Sequence, residues 1–205
     1  MKNFNASDIT REGARRLIRD NPLAQFVTCK DGTFHCSHLP LIVLENSQGE
    51  DMVIGHIAKN NPQLLHIKEG LTALANFTGE NAYISPSWLS DRSQAPTWFY
   101  SSLSMNLNIK VYETENAKKQ AVELLTNKME AGREHAWNTP ELGSRYSRLI
   151  EHIVAFEGHI SDMNLVKKYG QNENSDNLKE IVPHLRLNGE SHLASLVEET
   201  NFGRI

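Results

Sequence analysis

Cysteine is scarce in this chain: Cys29 and Cys36 are the two among 205 residues. So small a number leaves no disulfide framework to read. The pair could flank a hairpin turn, where a disulfide is geometrically possible. In a reducing compartment, free and half-buried thiols are expected instead. Apolar runs of membrane-crossing length are missing, which excludes a spanning helix. Met1-Lys2-Asn3-Phe4-Asn5 holds no apolar signal-peptide core. The expectation is a cytoplasmic protein with no membrane partner. Basic excess is missing too, since the formal net charge is -4. That argues against a general nucleic-acid surface while leaving room for a local basic patch. There is no P-loop, Rossmann fingerprint, Gly-x-Ser-x-Gly elbow or zinc-finger spacing. There is no convincing helix-turn-helix, internal repeat or low-complexity tract.

What is present is ordinary for a globular protein: 39% hydrophobic and 22% charged residues. The length suits one well-buried core, and two full domains would be cramped. Gln25–Cys29 and Phe34–His38 read as strands joined by Lys30-Asp31-Gly32-Thr33, a tight-hairpin signature. Pro40 interrupts the second strand, and Leu41–Leu44 and Met52–Gly55 follow as further strands. Leu71–Thr78 and Ala82–Ser85 read as two strands separated by a turn at Gly79-Glu80-Asn81. Pro86–Pro96 reads as a long loop, of the kind that is functional or mobile. Phe99–Glu113 and Ile153–Val166 alternate as long strands. Helices are expected at the start of the chain, capped by Ser7 or Asp8 with Ile9, Ala14, Leu17 and Ile18 inward. More are expected at Gln63–Lys68, at Ala117–Met129 with Met129 inward, and at Ser144–His152. Two amphipathic helices follow at Asn177–Leu187, strained by Pro183, and Ser191–Glu199. Strands close in sequence with hairpin turns predict a mostly β, α+β fold: an antiparallel barrel with peripheral helices.

The stretch Gly55-His56-Ile57-Ala58-Lys59-Asn60-Asn61-Pro62-Gln63 is the most informative. It reads as a strand end, a polar turn and a helix start. A helix start offers unpaired backbone N–H groups and partial positive charge. Lys59 stands beside it, and Asn60 and Asn61 are candidate caps. This is a place to hold a phosphate, although a solvated surface lysine reads the same way. Around His38, the residues His35, Cys36 and His38 raise a metal site. On a strand Cys36 and His38 share one face and His35 takes the other, so the ligands are too few for structural zinc.

Four further phrases stand in order around that stretch: Ser37-His38-Leu39-Pro40, Tyr83-Ile84-Ser85-Pro86-Ser87-Trp88, Pro96-Thr97-Trp98-Phe99-Tyr100 and Tyr169-Gly170-Gln171-Asn172. Together they resemble the PaiB family of FMN-binding proteins, negative transcriptional regulators among the split-barrel flavoproteins. The resemblance runs from about Phe4 to about Leu185. It implies a single FMN-binding split β-barrel domain over 1–205, with C-terminal helices at about 174–200. It implies FMN as cofactor and a homodimer holding the flavin in the groove between subunits.

The resemblance places His38, His56, Lys59, Asn61, Ser85, Ser87, Trp88, Trp98, Gln171 and Asn172 near the flavin. Each has a structural alternative. His38 reads equally as a hydrogen-bonded structural histidine. Trp88, Trp98 and Tyr100 bracket the long loop and either stack on the isoalloxazine ring or belong to the core. Ser85, Ser87, Gln171 and Asn172 either bond the flavin or close turns. Leu89, Phe99 and Lys167 depart from the family pattern, and the last two remove polar or stacking groups from the expected pocket. Two functional classes stay open, a flavin-dependent regulator acting on DNA or through a partner protein and an oxidoreductase using bound FMN. A barrel that has lost flavin is the third alternative. No residue stands out as a catalytic acid, base or nucleophile.

Overall fold

The computed structural model describes residues 11–203. Ser7, Asp8 and Ile9 lie outside them. Two compact units emerge, a larger one of Arg11–Phe77 with Ser104–Asn164 and a smaller one built on Thr78–Leu103 with 165–203.

In the larger unit, helix α1 (Arg11–Asp20) buries Ala14, Leu17 and Ile18, the expected inner face. Asn21 ends it, donating from both backbone and side chain to the Leu17 carbonyl at 2.9 and 3.2 Å. β1 (Leu23–Lys30) and β2 (Thr33–Pro40) pair as an antiparallel hairpin. Asp31 and Gly32 take φ of 51° and 76°, as a two-residue turn that matches strand twist requires. β3 (Ile42–Glu45) pairs with β4 (Asp51–Ala58), and β4 pairs with β7 (Ile153–Lys168), both antiparallel. Helices α2 (Gln63–Lys68), α3 (Glu115–Glu130) and α4 (Arg145–Ile150) complete this unit. With β5 (Ala73–Ile84) and β6 (Thr97–Tyr112), the sheet order is β2-β1-β5-β6-β7-β4-β3.

Although β2 and β4 stand far apart in that order, they touch. Phe26 of β1 meets Phe156 of β7 with ring centroids 5.5 Å apart. The sheet curls around a core that includes Phe26, Ile57, Phe77, Met105, Leu107 and Phe156. This is the split β-barrel with peripheral helices that the strand pattern predicts.

In the smaller unit, a 3₁₀ turn at Pro86–Trp88 and helices α5 (Ser175–Leu187) and α6 (Ser191–Phe202) surround Ile84, Leu89, Phe99, Tyr169, Leu178, Leu185 and Leu193. The Asn174 side chain caps α5, accepting from the Asn177 N–H at 2.7 Å. Both helices fall where the sequence places them.

Three expectations are corrected. β4 runs to Ala58, so His56 lies within a strand. β5 is one strand with no turn at Gly79-Glu80-Asn81. Burial there shifts phase, from Phe77 and Gly79 to Ala82 and Ile84, so the polar residues absorb one extra position rather than reverse the chain. Met129 is 37% exposed, at the end of a helix whose buried residues are Lys118 and Ala121. No described helix is long and apolar enough to cross a membrane.

Candidate functional site

The ten residues divide between the units. His38, His56, Lys59 and Asn61 belong to the larger one, and the other six to the smaller.

His56 stands near the end of β4, paired with Ala155 of β7. It is half-buried, and its Nδ1 is buried with no hydrogen-bond partner. Burial pushes its pKa down, so the imidazole is neutral at pH 7. After β4, the Lys59 N–H donates to the His152 carbonyl at 2.9 Å, and the Asn61 N–H to the Ala58 carbonyl at 3.0 Å. The Asn61 side chain donates to Ser37 Oγ at 2.8 Å and accepts from the Gln63 N–H at 2.9 Å. Leu64 and Leu65 donate to the Asn61 and Pro62 carbonyls at 3.0 and 3.2 Å.

These amides at the start of α2 are therefore spent inside the turn, and the expected display of free N–H groups is not met there. The N-cap is Pro62, without a side-chain cap, so neither Asn60 nor Asn61 fills that position. What remains for an anion is the exposed Lys59 ammonium, which forms no ion pair among the described residues. Its field reaches Glu113, whose carboxyl is held below its ordinary range, first by Lys68 and more weakly by Lys59.

Two residues the sequence reading passed over organise this corner. Ser37, rather than exposed His38, is the part of Ser37-His38-Leu39-Pro40 that reaches Asn61. Gln63 is buried and donates from Nε2 to the Phe26 carbonyl, Thr28 Oγ1 and the His35 carbonyl at 3.1, 3.2 and 3.0 Å. Thr28 Oγ1 also lies 2.8 Å from His66 Nδ1. Gln63 and His66 thus fasten α2 to the β1–β2 hairpin. A glutamine on the apolar face of a six-residue helix was the signal available for this.

In the smaller unit most of the named polar groups have local partners. Ser85 Oγ accepts from the Ser87 N–H at 3.2 Å and lies 2.7 Å from Ser87 Oγ. Trp88 stacks on His184, with centroids 5.5 Å apart and planes 4° from parallel. Trp98 is 52% exposed and meets Tyr83 edge-on at 6.0 Å. Gln171 accepts from the Tyr169 N–H at 2.8 Å and donates to the Lys167 carbonyl at 3.0 Å. Asn172 joins Thr97, Phe99, Lys168 and Gly170 around a cleft of about 330 Å³. Of the departures from the family pattern, Leu89 and Phe99 are core residues and Lys167 is exposed.

Barrel and corner together define a flavin-binding split-barrel protein. Residues 2–162 match the family described as "Putative FMN-binding domain". The chain belongs to this family, in its PaiB branch, and is an FMN-binding protein. It is 30% identical over 175 residues to the "Protease synthase and sporulation protein PAI 2" of Bacillus subtilis, covering 83% of this chain and 81% of that one. Two solved structures share the fold. The FAD and heme binding protein from Mycobacterium smegmatis has a TM-score of 0.62 at 19% identity, over 85% of this chain and 78% of that one. The flavocytochrome Anf3 from Azotobacter vinelandii has a TM-score of 0.61 at 10% identity, over 78% and 67%.

The residues present fit FMN. A neutral imidazole with an unsatisfied buried nitrogen suits a ligand rich in donors and acceptors, and an ammonium without an ion pair suits its phosphate.

Proposed function

We propose that FMN is held at the β4–α2 corner, with Lys59 at its phosphate and His56 bonded to the flavin or its ribityl chain. This binding serves gene regulation exerted through a protein partner, by a homodimer. The carrying observation is His56 Nδ1, buried and unpartnered three residues before Lys59. Such an atom costs about 1–3 kcal/mol when left unsatisfied, and a bound ligand that reaches it recovers that. The resemblance to the PaiB family of negative transcriptional regulators supports regulation. A net charge of -4 supports action through a partner. The split-barrel resemblance supports the homodimer.

The test is a spectroscopic titration with FMN and with riboflavin. His56→Leu, which keeps volume but loses both ring nitrogens, weakens both flavins. If the parent binds neither flavin, the barrel has lost its cofactor. If His56→Leu leaves both affinities unchanged, the flavin lies elsewhere.

A further inference from the structure

Lys118, one turn into α3, is only 6% exposed. Among the described residues it forms no ion pair and no side-chain hydrogen bond. Lysine is almost never so buried without a partner. Helical side chains lean toward the N-terminus, so Lys118 reaches back over the first turn of α3. There Thr114 Oγ1 accepts from the Ala117 N–H at 3.4 Å, and the Thr114 carbonyl accepts from the Lys118 N–H at 3.2 Å. The N–H groups of Glu115 and Asn116 find no acceptor among the described residues. The free helix-start amides that α2 lacks therefore stand at α3.

The strands bring this turn toward Lys59. Ser161 Oγ donates to the Asn106 carbonyl at 3.1 Å and the Tyr112 hydroxyl to Glu157 at 2.6 Å, so the last stretch of β6 runs along the first stretch of β7. β7 begins opposite the end of β4, with Ile153 facing Ala58. The exits of β4 and β6 thus lie at one end of the sheet. Lys68, at the end of α2, pairs there with Glu113, just before α3. The Glu113 carboxyl is held below its ordinary range by Lys68 first, then by Lys118 and Lys59. Glu115 is held down by Lys119 first, then by Lys118. Four lysines here meet two glutamates, which leaves two positive charges for a dianion.

We infer that Lys118 and the free N–H groups of Glu115 and Asn116 complete, with Lys59, a site for the terminal phosphate of FMN, and that Lys118 sets the preference for a phosphorylated flavin. The inference rests on the proposed placement of FMN at the β4–α2 corner. No covalent bond is made or broken. Packing has already immobilised Lys118, whereas exposed Lys59 loses side-chain freedom on meeting the phosphate. Lys118 is therefore the more discriminating of the two charge-assisted contacts.

Spectroscopic titration of the full chain with FMN and riboflavin, together with ³¹P NMR of bound FMN, tests this. Lys118→Met keeps the length of the stem and drops the charge. It weakens FMN about tenfold to a hundredfold and leaves riboflavin unchanged. A phosphate among these cations stays dianionic below its usual second pKa of about 6, and in Lys118→Met its ³¹P signal titrates at higher pH. A purely packing role for Lys118 moves neither the flavin preference nor that titration. If the parent does not favour FMN over riboflavin, this inference and the proposed phosphate contact at Lys59 both fall. If the parent favours FMN and Lys118→Met keeps both the preference and the titration, this inference falls and FMN at Lys59 stands. Both flavins weakened together, with a lowered melting temperature, also overturns it in favour of packing. Loss of the preference in Lys118→Met but not in Lys59→Ala upholds the α3 contacts and removes Lys59 from the phosphate.

Discussion

Gly55 sets how closely Leu41 and Phe156 approach β4. A Cβ there would sit 2.5 Å from Leu41 Cδ2 and 2.7 Å from Phe156 Cζ. Alanine in a strand ordinarily gains about 0.5–1 kcal/mol over glycine. Overpacking a tight core costs about 1–3 kcal/mol and wins here. Gly55→Ala therefore lowers the urea midpoint, and an unchanged midpoint would show that both neighbours yield freely. Lys59 gives a contrast between ligands. FMN carries a phosphate and riboflavin does not, so Lys59→Ala weakens FMN about tenfold to a hundredfold and leaves riboflavin unchanged. Equal loss for both flavins would mean a fold defect, and no loss would leave Lys59 a solvated surface lysine. His56 ties stability to pH. Burial lowers its folded pKa, so the unfolded chain takes up the proton first as pH falls below about 6.5. Stability drops through that window until the folded pKa is passed, and is unaffected above it. His56→Gln flattens this part of the slope, measured by urea midpoints across the window. Lys59 and His56 stood out in the sequence as candidates for phosphate and flavin, whereas Ser37 and Gln63 did not. Their roles depend on a long-range meeting of β2 and α2 that no local spacing encodes.

Elements were legible where local chemistry and tertiary demand agree. Asp31-Gly32 announced its hairpin because few residue pairs accept two positive φ angles in succession. β5 failed that test: Gly79-Glu80-Asn81 carries turn residues, but its neighbours in the sheet hold it extended. The start of α2 misled differently. Its sequence offers helix-start amides, yet the turn satisfies them itself, which only the folded hydrogen bonds reveal. In α5, Pro183 lies within the helix, as the sequence places it. It removes the N–H that would bond the Lys179 carbonyl and crowds that turn, at up to about 3 kcal/mol. Proline also restrains the unfolded chain, a benefit of about 0.4–1 kcal/mol. The loss is larger, so Pro183→Ala raises the thermal midpoint, and a fall would show that the helix has relaxed around the ring.

For the whole molecule, the two regulatory readings differ most clearly in salt dependence. A direct repressor neutralises many phosphates and reads bases, reaching about 10⁻⁸–10⁻¹¹ M on its site at physiological salt. This chain has 21 Lys and Arg against 25 Asp and Glu. Several of its arginines are committed to carboxylates. Arg11 and Arg15 both bond Asp51, and Arg186 bonds Glu198 at 2.5–3.0 Å. Burial alone would raise the Asp51 carboxyl, but those two guanidinium groups outweigh it and hold it below its ordinary range. Cations engaged in this way release few counterions from DNA. The proposed homodimer would double the acidic excess along with everything else. Light scattering of the FMN-loaded protein at micromolar concentration should report that dimer, and a fully loaded monomer would remove the shared groove. Promoter DNA should then bind the same sample no tighter than non-specific DNA, about 10⁻⁴–10⁻⁶ M or weaker, with affinity falling steeply as salt rises. A sequence-selective mobility shift at nanomolar protein and physiological salt would defeat the partner reading and make this chain a direct repressor. Persistence of that shift after flavin removal would further separate DNA recognition from the cofactor.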